Sequence, residues 1–178
     1  MQKILEEIEE ISKNHFLPII GPVKGGALKE LIKKYKPKNV LEIGSLVGYS
    51  AILMAVHLPA RSKITTIEKS PGFAKIARKN VAKAKLSRKV KVIQGDAINV
   101  IPRLKGKFDF IFLDAEKGEY LDYIKLAESR MAKKCVVVAD NVKIFRNTLS
   151  DYLNYVKSNY KSRTYDFGFD AVEASVKK

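Results

Sequence analysis

The sequence predicts an α/β fold, a mostly parallel β-sheet with helices on both faces, and three observations lead there. Short β-rich runs alternate with amphipathic helical stretches from residue 39 to about residue 156, the pattern of successive βα units. Two of those runs, 108–113 and 135–139, stop at acidic residues, Asp114 and Asp140, and the second is followed by Asn141. Near the C-terminus the alternation ends. The runs 163–169 and 171–176 have only Gly168 and Asp170 as turn formers between them, too little chain for a crossover helix, so they are expected to pair antiparallel.

Taken in order, residues 2–14 put Ile4, Leu5, Ile8 and Ile11 on one helical face and Glu6, Glu7, Glu9 and Glu10 mostly on the other. Pro18, Gly21 and Pro22 interrupt this pattern, and a second helix follows over 23–35 with Ala27, Leu28, Leu31, Ile32 and Tyr35 inward. Residues 1–36 thus read as covering helices of a single domain, 1–178. The first strand, 39–43, runs into Gly44-Ser45-Leu46-Val47-Gly48 and a helix over 49–57. The second, 64–67, ends at Glu68, and Ser70-Pro71 reads as an N-cap with proline in the first turn of a helix that aligns Phe73, Ile76, Ala77 and Val81. The third strand, 90–93, leads through Gly95-Asp96 into a short helix over 97–104. After the strand at 108–113, a helix aligns Tyr120, Ile124, Ala127 and Met131, and the next helix is marked by Phe145, Leu149, Tyr152, Leu153 and Val156.

The composition narrows the classes. A chain of 178 residues buries enough surface to fold without disulfides, and its one cysteine, Cys135, lies in an apolar run and excludes an internal bridge. No apolar run approaches the length of a membrane span, and the start reads as an acidic amphipathic helix rather than a signal peptide, so a cytoplasmic protein is expected. The formal charge of +15 favours anionic partners without choosing among them.

In open α/β sheets the carboxyl ends of the strands face the ligand crevice. Neighbouring strands would therefore carry Asp114, Asp140 and Asn141 to one place, and three hard oxygen donors suit Mg2+ or Ca2+. Glycines at 44 and 48 let the backbone approach a ligand, and Glu68 stands where a carboxylate would accept ribose hydroxyls. With Asp96 at the end of the third strand, these residues favour an adenosine-binding crevice. Each residue taken singly has a plainer reading. A strand-end Asp is common turn chemistry, a glycine turn is a tight connection, and Lys117 is one of 34 basic residues.

Five segments in order carry a resemblance: VLEIGSLVGYSAILMA from Val40, ITTIEKSPGFAKIA from Ile64, VKVIQGDAINVIPRL from Val90, FDFIFLDAEKGEY from Phe108 and VVADNV from Val137. The chain resembles the catechol-O-methyltransferase-like family of class I S-adenosylmethionine-dependent O-methyltransferases over residues 24–142. The resemblance implies a Rossmann-like seven-stranded sheet of order 3-2-1-4-5-7-6 with the last strand antiparallel. It implies that Glu42, Gly44 and Ser50 line the methionine end of S-adenosyl-L-methionine, that Glu68 holds the ribose, and that Asp96 and Ala97 lie beside the adenine. It further implies a divalent cation, in the first place Mg2+, on Asp114, Asp140 and Asn141, with Asp114 also bordering the cofactor and Lys117 as the catalytic lysine. The activity so implied is methyl transfer to a hydroxyl of a small acceptor, a vicinal diol or phenol.

Against the family pattern, the N-terminal region is short, the final hairpin lacks an insertion, and Ala171 replaces the usual glycine of the last turn. These departures imply an acceptor pocket that is more open, or one completed by another subunit of a homo-oligomer. Between Lys69 and Gly95 there is no acidic residue, yet Lys69, Lys75, Arg78, Lys79, Lys83, Lys85, Arg88, Lys89 and Lys91 all occur. That block reads either as a solvated lysine-rich surface or as a phosphate-tracking patch. The second reading makes RNA, such as a tRNA hydroxyuridine, an alternative acceptor. A non-catalytic nucleotide-binding module is the remaining alternative.

Overall fold

The computed structural model describes residues 1–177. Its centre is a seven-stranded sheet of order β3-β2-β1-β4-β5-β7-β6, built from β1 (Asn39–Ile43), β2 (Lys63–Glu68), β3 (Val90–Gln94), β4 (Phe108–Leu113), β5 (Met131–Ala139), β6 (Tyr160–Asp166) and β7 (Ala171–Lys177). β7 runs antiparallel to both of its neighbours, and the other pairs are parallel. The expected order and the C-terminal hairpin are both present. β6 begins three residues earlier than expected, and residues 167–170 form the hairpin tip.

The parallel strands alternate their side chains between two buried layers. Val40, Phe110, Phe112, Val136 and Val138 face one layer, with α1 (Gln2–Asn14), α2 (Gly21–Tyr35), α3 (Tyr49–His57) and the Val81 end of α4 (Pro71–Lys83). Leu41, Ile43, Ile111, Leu113, Val137 and Ala139 face the other, with α5 (Ala97–Val100), α6 (Tyr120–Glu128) and α7 (Ser150–Asn159). Strands buried on both faces are continuous apolar runs because every position has a hydrophobic layer to enter. Each large apolar side chain so enclosed contributes about 1.5–3 kcal/mol.

Several expected boundaries move for physical reasons. Met131 belongs to β5, opposite Phe108, rather than to the helix before it; α6 ends at Glu128. Lys134 takes a left-handed conformation (φ 62°) inside β5 while the β4–β5 register shifts, which hides the early half of the strand from a two-residue pattern. Pro102 splits the short helix after β3 into α5 and a 3-10 turn, Ile101–Arg103. α7 begins only at Ser150, leaving Phe145 in the turns before it and 41% exposed. On α4, Phe73 and Ile76 are partly exposed, and Ala74, Ala77 and Val81 make the inward face. The helix packs against the turn after β1 at this face, where a Cβ on Gly48 would be in van der Waals contact with Ala77 at 3.4 Å. Ile11 of α1 is also exposed, while Leu5 and Ile8 pack inward. Among the described residues, no helix is long and apolar enough to cross a membrane.

Candidate active site

Register places the site. β1 pairs Ile43 with Leu113, and β4 pairs Leu113 with Ala139. The ladder continues one residue further, since Gly44 N donates to Ile67 O, Asp114 N to Ile43 O and Asp140 N to Leu113 O, at 2.9–3.0 Å. Gly44, Asp114 and Asp140 therefore stand in one row just past three adjacent strand ends. That row borders a cleft of about 770 Å3, within the range of small-ligand pockets. Its walls include Gly44, Ser50, Glu68, Ala97, Asp114, Lys117, Asp140 and Asn141, while Phe16, Ile144 and Phe145 stand at one side.

Gly44 has a role beyond leaving space for a ligand. Its φ is +95°, and a Cβ there would lie 2.1 Å from the carbonyl oxygen of Asp114. The glycine is what lets the turn after β1 settle on the end of β4. The following turn is tied down by Glu68, whose two carboxylate oxygens accept from Leu46 N at 2.7 Å and Ser70 N at 2.9 Å. Each oxygen keeps a further lone pair for a ligand hydroxyl.

Asp96 does not line the cleft, although Gly95 and Ala97 on either side of it do. Its carboxylate caps α5 through Ile98 N at 3.0 Å and pairs with Lys69 at 2.7 Å, which together hold its pKa below the usual carboxylate value. Of the basic block, only Lys69 reaches the cleft. Glu42 lies beneath the cleft wall, fully buried, with neither carboxylate oxygen satisfied by a hydrogen bond of good geometry. Burial pushes its pKa up to about 7, against the partial relief offered by the Ser50 and Thr66 hydroxyls.

Lys117, also in the cleft wall, has its Nζ 3.0 Å from Asp114 Oδ1 and donates to the Tyr120 hydroxyl at 2.9 Å. Tyr120, fully buried, donates in turn to Leu113 O at 3.0 Å and contacts Asp140 O at 3.4 Å, bracing the ends of β4 and β5. Two charged residues to which the sequence assigned no part in the site enter here. Lys24 of α2 reaches Asp140 at 2.7 Å and Asp170 of the hairpin tip at 2.7 Å, all three side chains being almost completely buried. Burial opposes the ammonium, yet the two carboxylates outweigh it and hold the Lys24 pKa above its ordinary value. Lys24 had a legible signal: it stands one turn before Leu28 on the apolar face of its helix.

The donor set fits a hard cation. Counting only His, Cys, Asp and Glu, no metal-binding trio forms among the described residues, and the third oxygen here is a carboxamide. Asp140 Oδ1 is buried without a hydrogen bond of its own and has only its ion-pair contact with Lys24. Asp114, Asp140 and Asn141 supply the oxygen-only chemistry that Mg2+ or Mn2+ takes. Asn141 adopts a left-handed backbone (φ 63°), a conformation that asparagine tolerates better than most residues.

A family model described as O-methyltransferase matches residues 1–158. This chain belongs to the O-methyltransferase family. It is 39% identical over 127 residues to a catechol O-methyltransferase of Niastella koreensis, covering 69% of this chain and 58% of that protein. It is 36% identical over 166 residues to the catechol O-methyltransferase of Mus musculus, covering 89% and 62%. The chain thus spans about three fifths of the length of these curated relatives. Among solved structures, an O-methyltransferase from Bacillus cereus in complex with SAH superposes with a TM-score of 0.87 at 26% identity, covering 99% of this chain and 91% of that one.

Glu42 yields a test that needs no substrate. Its pKa, about 7 when folded, exceeds the ordinary carboxylate value of the unfolded chain. Between those two values the folded state holds the extra proton, so this group's contribution to stability falls as pH rises and levels off above pH 7. The loss is on the order of 3 kcal/mol. Without cofactor, Glu42→Gln is expected to flatten the decline in melting temperature between pH 5 and pH 8; an unchanged decline would place the carboxylate outside that titration.

Proposed function

We propose that this protein transfers the methyl group of S-adenosyl-L-methionine to a hydroxyl of a small vicinal diol or phenol, with a divalent cation held by Asp114, Asp140 and Asn141. The observation that carries this reading is the shared cleft. The Gly44 turn and Glu68 stand at the ends of β1 and β2, the three oxygen donors stand at the ends of β4 and β5, and all of them line the same cleft. Glu42, buried and only partly relieved by the Ser50 and Thr66 hydroxyls, calls for a cationic neighbour, and the amino acid end of the cofactor supplies one. Glu68 offers its free lone pairs to the ribose hydroxyls, with Ala97 beside the adenine.

A bound dication would hold two neighbouring acceptor oxygens and favour the ionised form of one. The chain's own residues do the rest. Asp114 and Asp140 fix the place of attack from two rigid strand ends, so most of the acceleration comes from orientation and preset charge. Lys117 Nζ, held by Asp114 and Tyr120, stands on the cleft wall where the departing hydroxyl proton would be received. Phe16, Ile144 and Phe145 give a flat acceptor an apolar flank. The catechol O-methyltransferases among the relatives support this acceptor class.

The test is methyl transfer to a panel of catechols and simple phenols, with and without a chelator. Turnover on vicinal diols that chelation abolishes is the expected result. S-adenosylhomocysteine binding with no transfer to any acceptor would mark a binding module instead. Glu68→Ala is expected to weaken S-adenosylhomocysteine binding about ten- to a hundredfold, the worth of hydrogen bonds to a charged group. An unaltered titration would remove Glu68 from the ribose role.

A further inference from the structure

Asn141 differs from the two carboxylates beside it, because its side chain ends in one acceptor and one donor. Only the oxygen can face a cation, and a freely rotating carboxamide would present its NH2 group as readily. The structure contains a device that makes this choice. Asp170 Oδ2 accepts from Asn141 Nδ2 at 2.8 Å, while Asp170 Oδ1 accepts from Ile144 N at 3.3 Å. An ionised carboxylate can only accept, so it captures the NH2 group and turns the Asn141 oxygen the other way.

Asp170 is 1% exposed and stands close to the buried Asp140, an arrangement of like charges that is costly alone. Lys24 resolves it. Its ammonium lies 2.7 Å from Asp170 Oδ2 and 2.7 and 2.8 Å from the two oxygens of Asp140, joining α2, the end of β5 and the hairpin tip. Each carboxylate oxygen has two lone pairs, so Asp140 Oδ1, whose one contact is the Lys24 ammonium, keeps one for another partner. The tip is held near this point by Val142 N, which donates to Ala171 O at 3.1 Å.

We propose that Lys24 and Asp170 are positioning residues for the cation site. Asp170 selects the carboxamide orientation of Asn141, and Lys24 permits two buried carboxylates to stand side by side. This rests on the metal site proposed above. Asp170 does not line the cleft, and Lys24, which does, has its ammonium committed to the two carboxylates, so both act through the groups they hold.

The experiment measures Mn2+ binding to the full chain by electron paramagnetic resonance, independently of methyl transfer, alongside S-adenosylhomocysteine titration and thermal melting. Asp170→Asn keeps the shape but lets residue 170 present either end of a carboxamide. The Mn2+ dissociation constant is expected to rise about ten- to a hundredfold, as for other groups that orient metal ligands, with S-adenosylhomocysteine affinity within about twofold. Mn2+ affinity within about twofold of the unaltered protein would overturn the proposal. So would parallel loss of both ligands, because a merely structural role predicts that result. If Asp170→Asn misfolds, the double variant Lys24→Met/Asp170→Leu removes one buried cation together with one buried anion and carries the same readout. An unaltered protein that binds no Mn2+ would overturn the metal site itself, a result distinct from failure of the orienting pair.

Discussion

Asp140→Asn is expected to lower chelator-sensitive methyl transfer by on the order of a thousandfold, or about 4 kcal/mol of transition-state stabilisation. The substitution removes a charge and keeps the volume, and Lys24 retains its second partner, Asp170, so the fold should survive. S-adenosylhomocysteine affinity should change little, because Glu68, Ser50 and Ala97 lie on other elements, the end of β2, α3 and α5. Asp114→Asn should behave alike, with one difference: it also removes the charge that holds Lys117 at 3.0 Å. Turnover that ignores both the substitution and a chelator would end the metal reading, whatever the cofactor does.

Gly44→Ala should fail in another way. A Cβ 2.1 Å from a backbone carbonyl cannot be relieved by a rotamer change, so the ends of β1 and β4 must move apart. The positive φ adds about 1–2 kcal/mol for any L side chain. A total loss of about 3 kcal/mol or more is expected, lowering the melting temperature by roughly 6–12 °C in a chain of this size. Cofactor and metal affinity should fall together, since one contact sets the distance between their two walls. Gly26→Ala is the control: its Cβ would meet nothing within 4 Å on an ordinary helix. If Gly44→Ala melts like that control, the contact does not govern the cleft.

The sequence carried the sheet and much of the cleft because their signals are local. Each strand end announced itself by an apolar run stopping at Gly44, Glu68, Asp114 or Asp140, and parallel pairing then aligned those ends. The hairpin was legible from the shortness of its turn. The roles of Lys24 and Asp170 were not: a lysine on the apolar face of α2 signals a buried partner, but the partners themselves lie 116 and 146 residues away. In sequence, Lys24 is one lysine among many, and Asp170 is a turn former. Asp96 shows the converse limit: the right turn was identified, but its carboxylate is spent on Lys69 and a helix cap. Helical periodicity groups Phe73 and Ile76 with Ala77 and Val81, yet both are partly exposed, and Phe73 borders the cleft instead of entering the core.

Tyr120 gives the cleft a final property. Its hydroxyl, a phenol like the proposed acceptors, sits 2.9 Å from the proposed base. Under the proposed reaction it is expected to stay unmethylated, because it is sealed off from water. Desolvation, reinforced by the charges of Asp114 and Asp140, raises its pKa far beyond the ordinary tyrosine value, and its proton is committed to the Leu113 carbonyl. Immunity to the proposed reaction would thus follow from which hydroxyl can be hydrated and reached, with no need for the two phenols to differ in kind.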